Sequence, residues 1–458
     1  MTVHSKLETY RPTHTIEAGE FSGRRRAIAH RLFTEPTYSA TTAMDDMGAL
    51  TDSYLRALVP ARPEYAVWAG GSLGRREMLP NSDLDLFAVG AEPTRRDQTL
   101  PTIPAIAGFD QVETGSISCQ RLLLLADRTL IDLNQFIDGR ALWQSSVGDE
   151  VTRILALTNT YDRQHANMIA EHFYYRHFDF LDKRTVHGPN VKYSSGSSRT
   201  TLFFNFYNRI RTGLMPASRE AGPEFIDGVA SAEEQLGLVG PYRSLDLIQV
   251  VKNAAISTFD ATGDVRQRYV SPRSLDTIFA LCEQRLRPLG HSDAKIFTGA
   301  YLQARREVEA AVDLVIEQTV RRHRSASALA ELVASPSRNV PAALECAVEA
   351  YPDDASTVLA LGAWSLVTRP DVTCGDVEIL TKALTARDAS ETGGALMAVA
   401  CCPVADSQTL RSVVSYLRHG GAGSYVLKLV SRNRSARQAI RSEAMAAYDE
   451  AEFVRVTG

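Results

Sequence analysis

The chain has 458 residues, 44% of them apolar and 23% charged. That is the composition of a globular protein with room for about three domains at roughly 150 residues each. Lys and Arg number 50 against 54 Asp and Glu, a net charge of −4, which excludes binding to nucleic acid by bulk positive charge and leaves only a local basic groove for such a partner. The six cysteines form no CxxC pair, and no apolar run is long enough to span a bilayer. Neither a zinc site nor a membrane segment is therefore expected, and the thiols read as reduced in a cytoplasmic protein.

Residues 1–20 are polar, without the apolar core of a secretory signal. A helix is predicted from Ser22 or Gly23 to Pro36; its run Arg24, Arg25, Arg26 reads as a solvated face. A second helix is predicted over 41–58, with Met44, Met47, Leu50, Tyr54 and Leu58 at helical spacing. Strands follow at 65–69, 84–89, 112–119 and 129–133, with a helix at 134–143, so residues 60–145 read as a small α/β unit. From Asp149 the pattern is helical, broken by loop-rich stretches at 187–201 and 215–240 and resuming as a clear helix at 305–322. In EHFYYRHFDF, His172 and His177 with Tyr174 and Tyr175 read as a half-buried helical core rather than a metal site. Beyond residue 325, short helices alternate with turn signals such as YPDDAS and RPDVTCGD, the pattern of an α-solenoid or bundle.

The chemistry is concentrated in GGSLGRREMLPNSDLDL, Gly70 to Leu86. Gly70, Gly71 and Gly74 allow a sharp turn and a close backbone approach to a phosphate, whose oxygens backbone N–H groups and the Ser72 hydroxyl can hold. Asp83 and Asp85 stand two apart on a predicted strand and share a face. Paired carboxylates of that kind suit Mg²⁺, which in-line nucleotidyl transfer uses to bridge the triphosphate and the attacking hydroxyl. Arg75 can either pair with Glu77 or contact phosphate. A third carboxylate is expected on a neighbouring strand. Asp132, a charged residue inside the apolar stretch TLIDL, is the first choice; Asp127 and Glu113 are its rivals.

Gly-Ser followed after a polar stretch by Asp-x-Asp resembles the DNA polymerase β-like nucleotidyltransferases. Within them the segment is most similar to the bacterial uridylyltransferase that modifies the PII nitrogen-signalling protein. The family run is matched at Gly71, Gly74, Arg75, Glu77, Pro80, Ser82, Asp83, Asp85 and Leu86; Arg76 stands where the family has Gly. HGPNVKYSSGSSRT resembles a second family segment at Pro189, Asn190, Val191, Lys192, Gly196 and Arg199, with Ser197, Ser198 and Thr200 departing from it. FIDGR, ending at Arg140, is a weaker match. The resemblance covers about residues 60–215. Past it the chain carries neither the adjacent His-Asp pair of the family's phosphohydrolase domain nor its ligand-sensing domains.

The resemblance implies an α/β nucleotidyltransferase domain at 60–145, on which the N-terminal helices read at 1–59 would pack. A helical domain at 146–325 would complete the nucleotide cleft, and the turn-punctuated pattern predicts an α-solenoid-like region at 326–458. It implies a cytoplasmic enzyme that moves NMP from an NTP to an acceptor and releases pyrophosphate. One or two Mg²⁺ ions would sit on Asp83, Asp85 and Asp132, with the nucleotide held by Gly71, Ser72, Gly74, Arg75, Lys192 and Arg199. A protein acceptor is favoured over nucleic acid. The rivals are a nucleotide-binding regulator without catalysis and the neutralising partner of a toxin–antitoxin pair.

Overall fold

The computed structural model describes residues 17–59, 65–90, 109, 112–120, 122, 136, 139–143, 145–158, 174–176, 181, 188–200, 204, 241–259, 269–322, 339–420 and 424–457. Most of them are helical, with one small mixed sheet near the N-terminus. Helix α1 (Ala18–Thr34) starts earlier than the Ser22–Gly23 turn signal suggests. Phe21, fully buried and stacked at 4.2 Å on Tyr54 of α2 (Ala40–Leu58), draws that turn into the helix, because apolar burial outweighs a weak local start signal. The start of α2 is set by Ser39, whose hydroxyl accepts the Thr42 N–H at 3.0 Å. Met44, Met47, Leu50 and Tyr54 are buried as their spacing predicts. The basic run of α1 is not one solvated face. Arg24 pairs with Glu20 in solvent, whereas Arg25 is buried, donates to the Pro80 carbonyl and lies 4.7 Å over Phe109.

The sheet has the order β3-β2-β1-β4, with β1 Tyr65–Ala69, β2 Leu84–Gly90, β3 Val112–Ser118 and β4 Arg140–Ala141. Strand β1 pairs antiparallel with β2 and β4, and β2 pairs parallel with β3. Alternation divides two cores. Ala66, Trp68 and Val89 pack with Val151, Ile154 and Leu155 of α4 (Ser146–Thr158), while Val67, Ala69, Leu84 and Leu86 join the main core. Fully burying each such leucine contributes about 1.5–3 kcal/mol. The predicted helix at 134–143 is corrected at its end. Arg140 and Ala141 pair with β1 as an edge strand, since the buried Arg140 guanidinium finds Asp52 on α2 at 2.6 Å. The predicted strand at 129–133 and the loop at 215–240 lie outside the described residues.

Three longer helices follow: α5 (Pro241–Phe259), α6 (Pro272–Leu286) and α7 (Ala294–Arg322). Asp246 of α5 accepts the Ala40 N–H at 2.6 Å and holds Arg285 of α6 at 2.8 Å. Arg285, almost wholly buried, also donates to the carbonyls of Leu32, Glu35 and Tyr38. One guanidinium thus satisfies backbone acceptors left over where α1 ends and α2 begins. The predicted short helices after residue 339 are α8 (Val340–Ala350), α9 (Ala355–Val367), α10 (Cys374–Thr385), α11 (Ala389–Cys401), α12 (Ser407–Gly420), α13 (Ser424–Arg432) and α14 (Gln438–Thr457). Each of α8 to α12 packs on the next and on the next but one, and α13 packs on α14. Their buried side chains continue the main core. No described helix is long and apolar enough to cross a membrane.

Between β1 and β2 the chain makes a single helical turn, α3 (Gly71–Gly74), and then reverses at Arg75 and Arg76. Arg76 has φ +58°, the one left-handed non-glycine among the described residues. A left-handed residue with a Cβ costs about 1–2 kcal/mol, a strain that glycine would not carry. Arg76→Gly is expected to melt at a higher temperature than Arg76→Ala, since both remove the side chain and only Gly relieves the backbone. Equal melting temperatures would contradict the strain.

Candidate functional site

Strand β1 ends at the Gly-rich turn, and the Gly70 N–H donates to the Asp85 carbonyl at 3.0 Å, closing the turn onto β2. Gly71 has φ +54°, and a Cβ there would lie 1.9 Å from Asp85 Oδ2. The glycine is required twice, by its conformation and by the carboxylate against it. Asp85 is within β2, and Asp83 immediately precedes the strand; both line one open cleft with Gly71 and Ser72. Arg75 is buried and bonds Glu77 at 2.8 Å, so the ion-pair alternative is realised while both side chains still line the cleft.

The second predicted segment forms the facing wall. Asn190 is buried, and its Oδ1 accepts the N–H groups of Lys192 at 2.9 Å and Tyr193 at 3.1 Å. This Asx turn aims the next residues at β2. The Lys192 carbonyl accepts the Ser197 hydroxyl at 2.6 Å and the Arg199 N–H at 3.1 Å. Gly196, with φ +67°, lies against the Arg305 carbonyl where a Cβ would come within 2.1 Å. The loop is therefore fixed by its backbone. It presents Lys192 Nζ 3.5 Å from Asp83 Oδ2 and sets Arg199 on the cleft wall, both beside the Tyr193 ring.

Helix α5 supplies the third wall through Gln249, Lys252 and Ile256, which share a helix face. Asn253 next to them accepts the Asn81 N–H at 3.3 Å through its Oδ1, and its carbonyl accepts Asn81 Nδ2 at 3.2 Å. Burial pushes the Lys252 ammonium down from 10.5 to about 7; Lys192 and Arg199 add to the push, and Asp83 and Glu77 oppose it. Sequence reasoning missed Lys252 and Gln249. The available signal was a lysine set among Val250, Val251, Ala254 and Ala255, all buried.

Of the predicted residues, Gly71, Ser72, Arg75, Asp83, Asp85, Lys192 and Arg199 line this cleft. Gly74 is buried in α3, beneath the turn. Asp132 and its rival Asp127, together with His172 and His177, lie outside the described residues, while Tyr174 and Tyr175 are buried as core aromatics. The register of β2 and β3 sets Glu113 beside Asp85. Among the described residues no group of three or more His, Cys, Asp or Glu is arranged to hold a metal. Mg²⁺ commonly uses one or two carboxylates and completes its shell with substrate phosphates and water. Asp83 and Asp85, the latter seated against the turn where only a glycine leaves room for its carboxylate, fit that donor set. No protein-family model matches the chain, and no curated protein matches it.

The Lys252 shift has a consequence for stability. Its folded value lies below its unfolded one, so between about 7 and about 10.5 the unfolded chain binds more protons. Stability then rises with pH across that window, and below it the cost of charging the buried amine is felt in full. Lys252→Met is expected to stabilise the protein at pH 6 by more than it does at pH 9, measured by chemical denaturation. A difference independent of pH would contradict the depressed value.

Proposed function

We propose that the chain is a Mg²⁺-dependent nucleotidyltransferase of the polymerase β-like kind, moving NMP from an NTP to a hydroxyl of a protein acceptor. The observation that carries the reading is the confrontation in one cleft of Asp83 and Asp85, beside a glycine turn, with Lys192, Arg199 and Lys252. Carboxylates alone would favour a cation and basic residues alone an anion; the two together suit a metal–polyphosphate. Ser72 and the backbone of the turn hold phosphate oxygens, with Lys192, Arg199 and Lys252 balancing their charge. Asp83 and Asp85 hold Mg²⁺. Asp132 remains the first choice for the third carboxylate and lies outside the described residues; its rival Glu113 stands beside Asp85 in strand register. Bound Mg²⁺ supplies charge neutralisation at the reacting phosphate and lowers the pKa of the attacking hydroxyl. The acceptor oxygen forms a bond to the α-phosphorus while the bond to the β-phosphate oxygen breaks, and pyrophosphate leaves with the electron pair. A carboxylate of the cleft takes the hydroxyl proton. Helices α8–α14 form the acceptor-selecting region.

Protein incubated with Mg²⁺, cell lysate and each α-labelled NTP in turn is expected to label a protein band and release pyrophosphate with one preferred nucleotide. Asp83→Asn with Asp85→Asn is expected to abolish labelling while the protein still melts cooperatively within a few degrees of wild type, since the Asp83–Lys192 pair is partly exposed and such pairs contribute about 0–1 kcal/mol. Labelling that survives in the double variant would place the chemistry elsewhere. Metal-independent nucleotide binding without labelling would favour a binding regulator.

A further inference from the structure

Lys192 is fixed at its backbone, while its ammonium pairs with Asp83 across the cleft. Its N–H is tied to Asn190 and its carbonyl to Ser197 and Arg199, so the main chain has no latitude. Its side chain remains about one-fifth exposed and rests its ammonium 3.5 Å from Asp83 Oδ2, itself a third exposed. That ammonium stands where a cation bound to Asp83 would have to come, and it shares the cleft with Arg199 and Lys252.

We propose that Lys192 is an exchangeable counter-ion: it holds Asp83 in the empty site and passes to the triphosphate when a divalent cation takes the carboxylate. The inference rests on the metal–triphosphate reading of the cleft and adds to it a coupling between the two ligands. A divalent ion arriving alone has to displace the Lys192 ammonium towards Lys252 and Arg199, cations with no new anion to meet them. A triphosphate arriving alone brings its charge against Asp83 and Asp85. Arriving together, each ligand accepts the partner the other has released, and no charge is stranded. The fixed backbone makes the exchange local, because only the four-carbon stem of the lysine has to rotate. The Lys252 ammonium is depressed first by burial and then by Lys192 and Arg199 beside it.

The exchange predicts effects of opposite sign from one substitution. Mn²⁺, standing in for Mg²⁺, is titrated alone into the full chain and its free concentration read by electron paramagnetic resonance. Lys192→Met is expected to bind it about tenfold more tightly than wild type, since the competing ammonium is gone. Mg²⁺–tripolyphosphate, titrated calorimetrically at saturating Mg²⁺, is expected to bind Lys192→Met about tenfold more weakly, since the cation that receives the phosphate is gone. Lys192→Gln repeats both arms with a polar side chain, and thermal melting establishes that each variant is folded. A lysine with only a structural role would weaken both ligands together. Mn²⁺ affinity that is unchanged or weaker in both folded variants overturns the proposal. Opposite shifts in a protein that never transfers a nucleotide would leave the exchange standing and defeat the transferase reading instead.

Discussion

The hydrogen bonds between Asn81 and Asn253 fix the width of the cleft, and the charge arrangement depends on that width. Asn81 stands two residues before Asp83, and Asn253 follows Lys252 directly, so the latch joins the two walls beside the groups that oppose each other. Ser257, one helical turn further along α5, accepts from the same Asn81 amide. Coulomb interactions at an effective dielectric of about 20 change by kcal/mol over an ångström or two of separation. A loosely joined wall would leave Lys252 in solvent with an ordinary ammonium. Instead it is held in the cleft wall, where burial first and its neighbouring cations second push the ammonium below its usual range.

The same helix carries the constraint outward. Asp246 of α5 holds the first N–H of α2 and the Arg285 guanidinium, which in turn collects three carbonyls around the junction of α1 and α2. From α1, Arg25 reaches the Pro80 carbonyl beside Asn81, and from α2, Asp52 holds Arg140 at the sheet edge. The N-terminal helices are therefore bonded both to the sheet and to α5. A buried guanidinium that loses its acceptors leaves several donors unsatisfied at once, so Arg25, Arg140 and Arg285 bind the framework of the site through polar contacts rather than apolar area alone.

What the sequence discloses follows the range of the physics involved. The strands at Tyr65–Ala69 and Leu84–Gly90, the glycine turn and the Asp-x-Asp are local: a short apolar run, positive φ and paired carboxylates are all written in adjacent residues. The Lys192 and Arg199 loop was legible through resemblance, and its Asx turn explains why Asn190 stands two residues before the lysine. Lys252 was not legible, since its role arises only when α5 is brought against a strand distant in sequence. Arg25 was misread for the same reason: the carbonyl that buries it belongs to Pro80. The β4 edge looked helical because a two-residue strand has too few residues to express a period. Strand register, which no single-chain pattern encodes, sets Glu113 opposite Asp85, while Asp132 and Asp127 lie outside the described residues.

The central claim is that one cleft takes a divalent cation on Asp83 and Asp85 and a triphosphate between the Gly71 turn and the cations of the facing walls. A crystal structure of the full chain grown with Mn²⁺ and a nucleoside triphosphate non-hydrolysable between its α- and β-phosphates tests this most directly, because manganese marks itself by anomalous scattering. The account predicts an anomalous peak within coordination distance of both carboxylates, at about 2.0–2.2 Å from oxygen, with phosphate oxygens on Ser72, Lys192 and Lys252. Nucleotide bound away from this cleft, or phosphates in it with no metal on Asp83 and Asp85, would contradict it.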